Sequence, residues 1–149
     1  MTRWVAVAWT SPVSAIALLA AGLNCLFRGR IVRCGIALEA TGGLVPWLLG
    51  AGSHRGTIAA ITLGHVIFAR DTAAAARWRS HEHAHVRQYE RWGVLFPIAY
   101  AAATVLAGLR GDDAYRDNAF EIEARAEAVK AAMPAQPSPP PPGRIAARH

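Results

Sequence analysis

The feature that most constrains this chain is an uncharged stretch of 24 residues near the N-terminus, Trp4–Phe27. About 20 apolar residues suffice for a helix to cross the hydrocarbon core of a membrane. Trp4 and Trp9 lie near one end, where aromatic rings favour the membrane interface. A cleaved signal peptide is the alternative, but the stretch is longer than its usual apolar core and lacks a clear small-residue cleavage site. We therefore predict an uncleaved transmembrane helix, with residues 1–29 as a membrane anchor.

The composition and charge distribution agree with a membrane location. Charged residues make up 17% of the 149 residues, whereas about 25% is usual in soluble domains. Arg28, Arg30 and Arg33 directly follow the uncharged stretch, against Arg3 before it. The positive-inside rule then predicts a single pass through the cell inner membrane, with the following domain in the cytoplasm and membrane lipid as a partner. The net charge of +6 does not come from a dense basic run with interleaved aromatic residues, so we expect no nucleic-acid partner.

Strand patterns follow the uncharged stretch. Residues Ile31–Ala40 alternate between apolar and mixed side chains, as in a half-buried strand. Residues Thr57–Arg70 are β-branched and apolar, which is typical of one strand or two, with Gly64 as a candidate bulge. These segments predict a small antiparallel sheet. Together with the helices described below, they predict an α+β fold for residues 30–133.

Helix patterns occupy the second half of the chain. Val94–Leu109 is uncharged but contains Pro97 and has only 16 residues, so we predict a buried or interfacial helix. A second membrane crossing is the alternative. The alternation of alanine, glutamate and apolar residues in Ala119–Met133 predicts a last helix. Residues 134–149 begin with a proline-rich run, which predicts a disordered tail.

The segment with the most specific chemistry is His81-Glu82-His83-Ala84-His85, which contains H-E-x-x-H. On a helix, positions i and i+4 share a face, so His81 and His85 can both bind one metal ion. Glu82 is then placed to take a proton from the water that the metal activates. The segment lies inside a predicted helix that Asp71-Thr72 can cap and Gly93 can end. This is the helical context that the motif requires.

The alternative is a chance match on a helix with solvated histidines, and the helical wheel speaks against it. Both motif histidines fall on the same stripe as Trp78, Tyr89 and Trp92, so they face inward. Buried imidazoles need partners, which a metal ion would provide. His83 lies off this stripe and is expected to be solvated. Tyr89 could stabilise an oxyanion, but an aromatic residue at this spacing more often packs in the core.

A catalytic zinc site needs a third protein ligand. The sequence offers six candidates: His54, His65, Asp117, Glu121, Glu123 and Glu127. The E-x-x-A pattern at Glu121–Ala124 resembles the third-ligand helix of gluzincin metallopeptidases. That resemblance favours His81, His85 and Glu121 as the Zn²⁺ ligands, with Glu123 as the second choice for the third position.

The resemblance extends beyond the motif. His81–Gly93 and Tyr115–Ala124 are similar to segments in a group of small, uncharacterised bacterial membrane proteins, and the likeness covers roughly residues 56–126. It implies a minimal zincin-like domain. One position departs from the gluzincin pattern, because Arg125 stands where many members have an aspartate. Support for a ligand histidine must then come from another group, for which Asp117 is the candidate.

These features together predict a membrane-anchored zinc metallopeptidase acting on a peptide or protein substrate. Glu82 is the expected catalytic residue, because it would pass the proton of a zinc-activated water to the leaving amine. The strand region Thr57–Arg70 is the candidate edge for pairing with an extended substrate. The alternative is a zinc-binding membrane protein without catalytic activity, with a structural or regulatory role. A lipid or nucleic-acid binder would explain the arginines but not the motif.

Overall fold

A computed structural model describes residues 3–51 and 58–133, with side chains described for residues 9–50 and 58–133. The chain forms an α+β fold, as predicted. Its elements in chain order are α1 (Arg3–Leu26), β1 (Arg30–Cys34), β2 (Ala37–Thr41), α2 (Val45–Ala51), β3 (Ala60–Leu63), β4 (Val66–Ala69), α3 (Thr72–Trp92), a short 3₁₀ turn (Gly93–Leu95), α4 (Phe96–Leu109) and α5 (Ala119–Ala132). The predicted tail 134–149 and the ligand candidate His54 lie outside the described residues.

Helix α1 is the long apolar helix that the uncharged stretch predicts. Its buried stripe consists of small and polar residues, whereas leucine and isoleucine side chains on the other faces are exposed. The Thr10 hydroxyl donates to the backbone carbonyl of Tyr89 at 3.1 Å. The Asn24 side chain accepts a hydrogen bond from the backbone N–H of Leu44 at 2.8 Å. Helix α1 therefore packs on the domain through small and polar side chains and exposes its larger apolar side chains.

The sheet has four strands in the order β1-β2-β4-β3. It is mixed, and the prediction of an antiparallel sheet is wrong in one respect: β2 and β4 are parallel. The chain between β2 and β4 includes α2, which provides the crossover that a parallel pair requires. The single predicted strand Ile31–Ala40 is a hairpin, because the chain turns at Gly35 and Ile36 and pairs β1 with β2.

The second strand region forms two antiparallel strands, β3 and β4, which is one of the two predicted alternatives. Gly64 lies in the turn between them at φ +58° and is not a bulge. A side chain at Gly64 would collide with Ser14 of α1. Glycine is therefore needed at this position both for its backbone angle and for the close approach of α1.

The sheet separates two packing layers. One face packs on α1 and α2 through a core formed by Ala17, Ala21, Ala40, Val45, Leu49, Val66 and Phe68. The other face packs on α3 through Ala37, Ile67 and Val86. Since successive side chains of a strand point to opposite faces, Val66 and Ile67 belong to different layers. Helix α3 is thereby held between the sheet and the α5 helix that follows.

Helix α4 is not buried in the fold, which contradicts the buried form of the predicted helix and leaves the interfacial form a prediction. It buries Phe96 and Ala107 but leaves Ile98 68% and Leu109 81% exposed. Among the described residues, two helical regions, Trp9–Leu26 and Thr72–Leu109, are long and apolar enough to cross a membrane by length and composition. In the second region the uncharged part begins after Arg91, which means that it corresponds to α4 and not to α3.

Candidate metal centre

The motif helix α3 has the boundaries that the sequence predicts. The Asp71 side chain caps it by accepting from the backbone N–H of Ala74 at 2.7 Å, and Gly93 ends it by donating to the Tyr89 carbonyl. Because the helix is continuous, His81 and His85 lie one turn apart. Both side chains are buried, and their Nε2 atoms are 3.1 Å from each other. The inward orientation expected from the helical wheel is confirmed.

Glu121 reaches the two histidines from α5. Its Oε2 lies 3.3 Å from Nε2 of His81, and its Oε1 lies 3.2 Å from Nε2 of His85. The carboxylate is only 2% exposed. One potential ligand atom from each of His81, His85 and Glu121 lies within 4.8 Å of the other two. These three residues could therefore hold a metal ion.

The position of Glu121 is set by the start of α5. Asn118 caps this helix by accepting from the backbone N–H of Phe120 at 2.9 Å. The Asn118 amide also donates to the Tyr100 carbonyl and to the Thr104 hydroxyl of α4. The Tyr100 hydroxyl in turn donates to Oε1 of Glu121 at 2.8 Å. Helix α4 thus fixes the backbone at the start of α5 and the carboxylate of Glu121, which completes the site.

Gln88 orients one of the histidines, and this role was not predicted. Its Oε1 lies 2.8 Å from Nδ1 of His85, while its amide nitrogen donates to the Phe120 carbonyl and to Glu123. Since the amide nitrogen is engaged elsewhere, Oε1 must accept the proton of Nδ1. In the neutral ring Nε2 then carries the lone pair, and it faces Glu121. The i+3 spacing from His85 is the sequence signal that could have identified Gln88.

The electrostatics of the site follow from burial and charge pairing. Burial raises the pKa of Glu121, but the close contacts with the imidazoles of His81 and His85 outweigh burial and bring that pKa below its usual range. Burial lowers the pKa of the His85 imidazole, and the Glu121 carboxylate outweighs this effect and raises it. Arg125 lies 3.9 Å from Glu121, where the gluzincin pattern has an aspartate. The Glu121 carboxylate is therefore negatively charged at neutral pH, and a bound cation would be stabilised by that charge.

Glu82 lies beside the three ligand candidates, but it is not itself a member of the group that could hold a metal ion. Its carboxylate is buried, and its Oε2 accepts a hydrogen bond from the Thr62 hydroxyl of β3 at 2.7 Å. Burial raises the pKa of Glu82 above its ordinary value, while the Thr62 hydrogen bond and the nearby histidines partly oppose this effect. A carboxyl group with a raised pKa is suited to exchange protons near neutral pH.

The other predicted ligand candidates have different partners. His65 contacts Ser14 and Glu90, and Asp117 accepts from the backbone N–H of Asp113. Glu123 pairs with Arg91, and Glu127 pairs with Arg87. Tyr89 is a core residue, with its ring centroid 4.4 Å from that of Phe96. The structure therefore groups Glu121, and none of these other described candidates, with the two motif histidines.

The geometry fits a metal ion better than a network of hydrogen bonds. Oε2 of Glu121 is buried and, among the described residues, has no hydrogen-bond partner. Two imidazole nitrogens and a carboxylate converge, and at most one proton can lie between the two nitrogens. Two histidines and one glutamate are also a known ligand set for catalytic zinc.

A cavity of about 370 Å³ opens beside His81. Its lining combines aromatic and charged side chains: Trp78, His81, Tyr115, Arg116, Asp117 and Arg125. Burial raises the pKa of Tyr115 to about 12, which keeps its hydroxyl protonated as a hydrogen-bond donor. The cavity therefore borders the candidate metal centre at His81.

A comparison with known proteins finds no matching family model, no similar curated protein and no similar solved structure.

Proposed function

We propose that this protein is a membrane-anchored zinc metallopeptidase that hydrolyses peptide bonds. The observation that carries the proposal is the convergence of His81, His85 and Glu121, with the buried carboxyl of Glu82 on the same helix. This combination supplies three ligands and an additional acid–base group, which together suit hydrolysis. Purely structural zinc sites usually have four protein ligands.

Each residue has a distinct role in this proposal. When bound by His81, His85 and Glu121, Zn²⁺ supplies a Lewis acid and lowers the pKa of its water. Glu82 accepts a proton and passes it to the leaving amine. The Thr62 hydroxyl holds Oε2 of Glu82, so that the carboxyl keeps one orientation through both transfers. Tyr100 and Gln88 hold the carboxylate and one imidazole in the geometry that ligation needs.

The sheet offers a place for an extended peptide. Strand β3 lies at the edge of the sheet, and within the described ranges its strand partner is β4. Thr62 of this edge strand contacts Glu82, so a peptide paired with β3 would lie beside the acid–base group. A small sheet with an edge strand beside the motif helix, followed by a helix that supplies the third ligand, supports a minimal zincin-like domain.

The exposed apolar surfaces support the membrane location. The outward leucine and isoleucine side chains of α1 have the character of a lipid-facing helix. The arginines that follow α1 support a single-pass inner-membrane protein with its domain in the cytoplasm. The exposed apolar side chains of α4 provide a second surface for lipid contact. Membrane lipid and a peptide or protein substrate are the proposed partners.

The test combines metal analysis with a Glu82→Gln variant of the detergent-purified full chain. We expect about one zinc in the His81 site of both proteins. The variant should lose about 10²–10⁴-fold in cleavage rate on a broad peptide library, the usual loss for a general base. Glu90→Gln is the matched control on the same helix, because its carboxylate contacts His65 outside the site. This control should retain activity.

The alternative function is a zinc-binding membrane protein without catalytic activity. It predicts a wild-type protein that binds zinc at His81 and His85 but cleaves no peptide in the library. It also predicts that Glu82→Gln and wild type behave identically when expressed in cells. That pair of results would exclude the peptidase and leave metal binding intact.

A further inference from the structure

A second group of potential metal ligands lies on the other side of α3. It consists of Cys34, Glu39 and His83, and one ligand atom from each lies within 4.8 Å of the other two. His83 is two positions from both motif histidines, so it points about half a turn away from them. The group faces the hairpin of β1 and β2, whereas the first group faces α5.

The hairpin turn brings these side chains together. Cys34 ends β1, and Glu39 lies in β2, directly beyond the turn. Gly35 in this turn has φ +58°, and a Cβ at this position would lie 3.1 Å from Cε1 of His83. A side chain at position 35 would therefore press on the imidazole. Glycine allows the turn to approach α3 closely enough for the thiol and the imidazole to share one site.

His83 is not solvated, which contradicts the expectation from its position on the helical wheel. Its side chain is half-buried, and within the described ranges its Nε2 is buried without a hydrogen-bond partner. The physical reason is that the β1–β2 hairpin covers this side of the helix. A buried imidazole nitrogen without a partner is costly, so a ligand for this atom would lower the free energy of the folded protein.

Glu39 is held in position by Arg79, one turn before His83 on α3. The Arg79 guanidinium donates to Oε1 at 2.7 Å and to Oε2 at 3.0 Å, and Glu39 is buried. Each carboxylate oxygen can accept two hydrogen bonds, so both retain a free lone pair. Arg79 thus orients the carboxylate as a supporting residue does around a metal ligand.

We propose that Cys34, Glu39 and His83 form a second site for a thiophilic divalent metal ion of the zinc class. Thiolate, imidazole and carboxylate are all zinc ligands, and the combination of sulfur and nitrogen selects against magnesium and calcium. The site does not depend on the peptidase proposal, because it shares no ligand with the His81 site. Without a metal ion, the same residues would form a hydrogen-bond network with a protonated thiol.

The test uses Co²⁺ as a spectroscopic probe of the full chain in detergent, in a Cys25→Ser background where Cys34 is the only thiol. Thiolate ligation gives a charge-transfer absorption band in the near ultraviolet, which a site made of histidine and glutamate lacks. We expect this band, its loss in Cys34→Ser, and its retention in His81→Ala. Saturation with Co²⁺ without the band would overturn the proposal and leave the His81 site unaffected.

Zinc stoichiometry and thiol protection provide independent measurements. We expect about two zinc ions per wild-type chain and about one after Cys34→Ser or His83→Ala, one for each group of three ligands.

If these variants fail to fold, alkylation of Cys34 in the Cys25→Ser protein still decides the question. Bound zinc should slow the reaction with iodoacetamide by about tenfold or more, because a ligating thiolate is shielded. An unchanged rate at saturating zinc would contradict the proposal.

Discussion

Two consecutive helices of this protein distribute their side chains in opposite ways. Helix α3 carries arginine, histidine and glutamate, and it buries His81, Glu82 and His85 in the interior. Helix α4 has no charged residue between its ends, yet Val105 is 60% exposed. A 3₁₀ turn of three residues joins them. One helix therefore buries several polar groups, and the other exposes several apolar groups.

The difference indicates two different environments around one fold. The buried polar groups of α3 are stable because they contact each other and Glu121. The outward apolar side chains of α4 would be unfavourable in water but favourable in lipid. The two helices meet at the candidate metal centre, because Tyr100 of α4 hydrogen-bonds to Glu121. The centre thus lies between a polar helix and the apolar surface that we assign to the membrane.

The largest expected effect tests the polar side of this comparison. Glu121→Ala removes a carboxylate that contacts both histidines, and zinc affinity should fall by more than about 100-fold, beyond the loss for a supporting residue. Titration against a zinc chelator would measure the change. Glu123→Ala is the matched control, because that carboxylate contacts Gln88 and Arg91 on the outer side. If the control lost zinc and Glu121→Ala kept it, the third ligand would be Glu123.

The next prediction tests the apolar side. Val105→Arg places a charge on the outward face of α4, and this should disfavour the membrane-bound state by about 2.5–3.5 kcal/mol if the residue lies in hydrocarbon. Ala76→Arg is the control at an exposed position of α3, where the effect should stay within about 0.5 kcal/mol. Stability in lipid bicelles and the fraction retained after alkaline extraction are the measurements. Equal behaviour of the two variants would mean that α4 faces water.

A smaller effect is expected from the residue that orients His85. Gln88→Ala removes the acceptor for Nδ1, so the imidazole loses its fixed tautomer and orientation. Zinc affinity should fall by about 10–100-fold, the usual range for such partners. Gln88→Glu keeps an acceptor and should retain more affinity than Gln88→Ala in the same chelator titration. An equal loss in both variants would indicate that Gln88 matters for packing and not for the imidazole.

The smallest effect concerns the outer ion pair of α3 and α5. Arg91 lowers the pKa of Glu123, so the folded protein holds this proton less tightly than the unfolded chain. The ion pair therefore stabilises the folded protein above the pKa that Glu123 has in the unfolded chain. This stabilisation is lost as the pH falls through the lower pKa that Glu123 has in the folded protein. Because both side chains are partly exposed, Glu123→Gln should cost less than about 1 kcal/mol at neutral pH. Urea unfolding at neutral and acidic pH should show the difference disappearing in acid; a constant difference would contradict this assignment.

Features encoded in neighbouring residues were predictable from the sequence. The cap at Asp71, the stop at Gly93 and the shared face of His81 and His85 follow from helical hydrogen bonding and its period of 3.6 residues. The two uncharged stretches were equally predictable, because recognising them requires only the composition of consecutive residues. These features need no knowledge of where any other element packs.

Tertiary structure decided what depends on distant residues. Six side chains were candidates for the third ligand, and only the packing of α5 on α3 brings Glu121, 36 positions beyond His85, to the two imidazoles. The same holds for the parallel pairing of β2 with β4 and for the group around His83. Local periodicity determines which face of an element a residue occupies. It carries no information on which element covers that face, because this choice depends on the free energy of packing the whole chain.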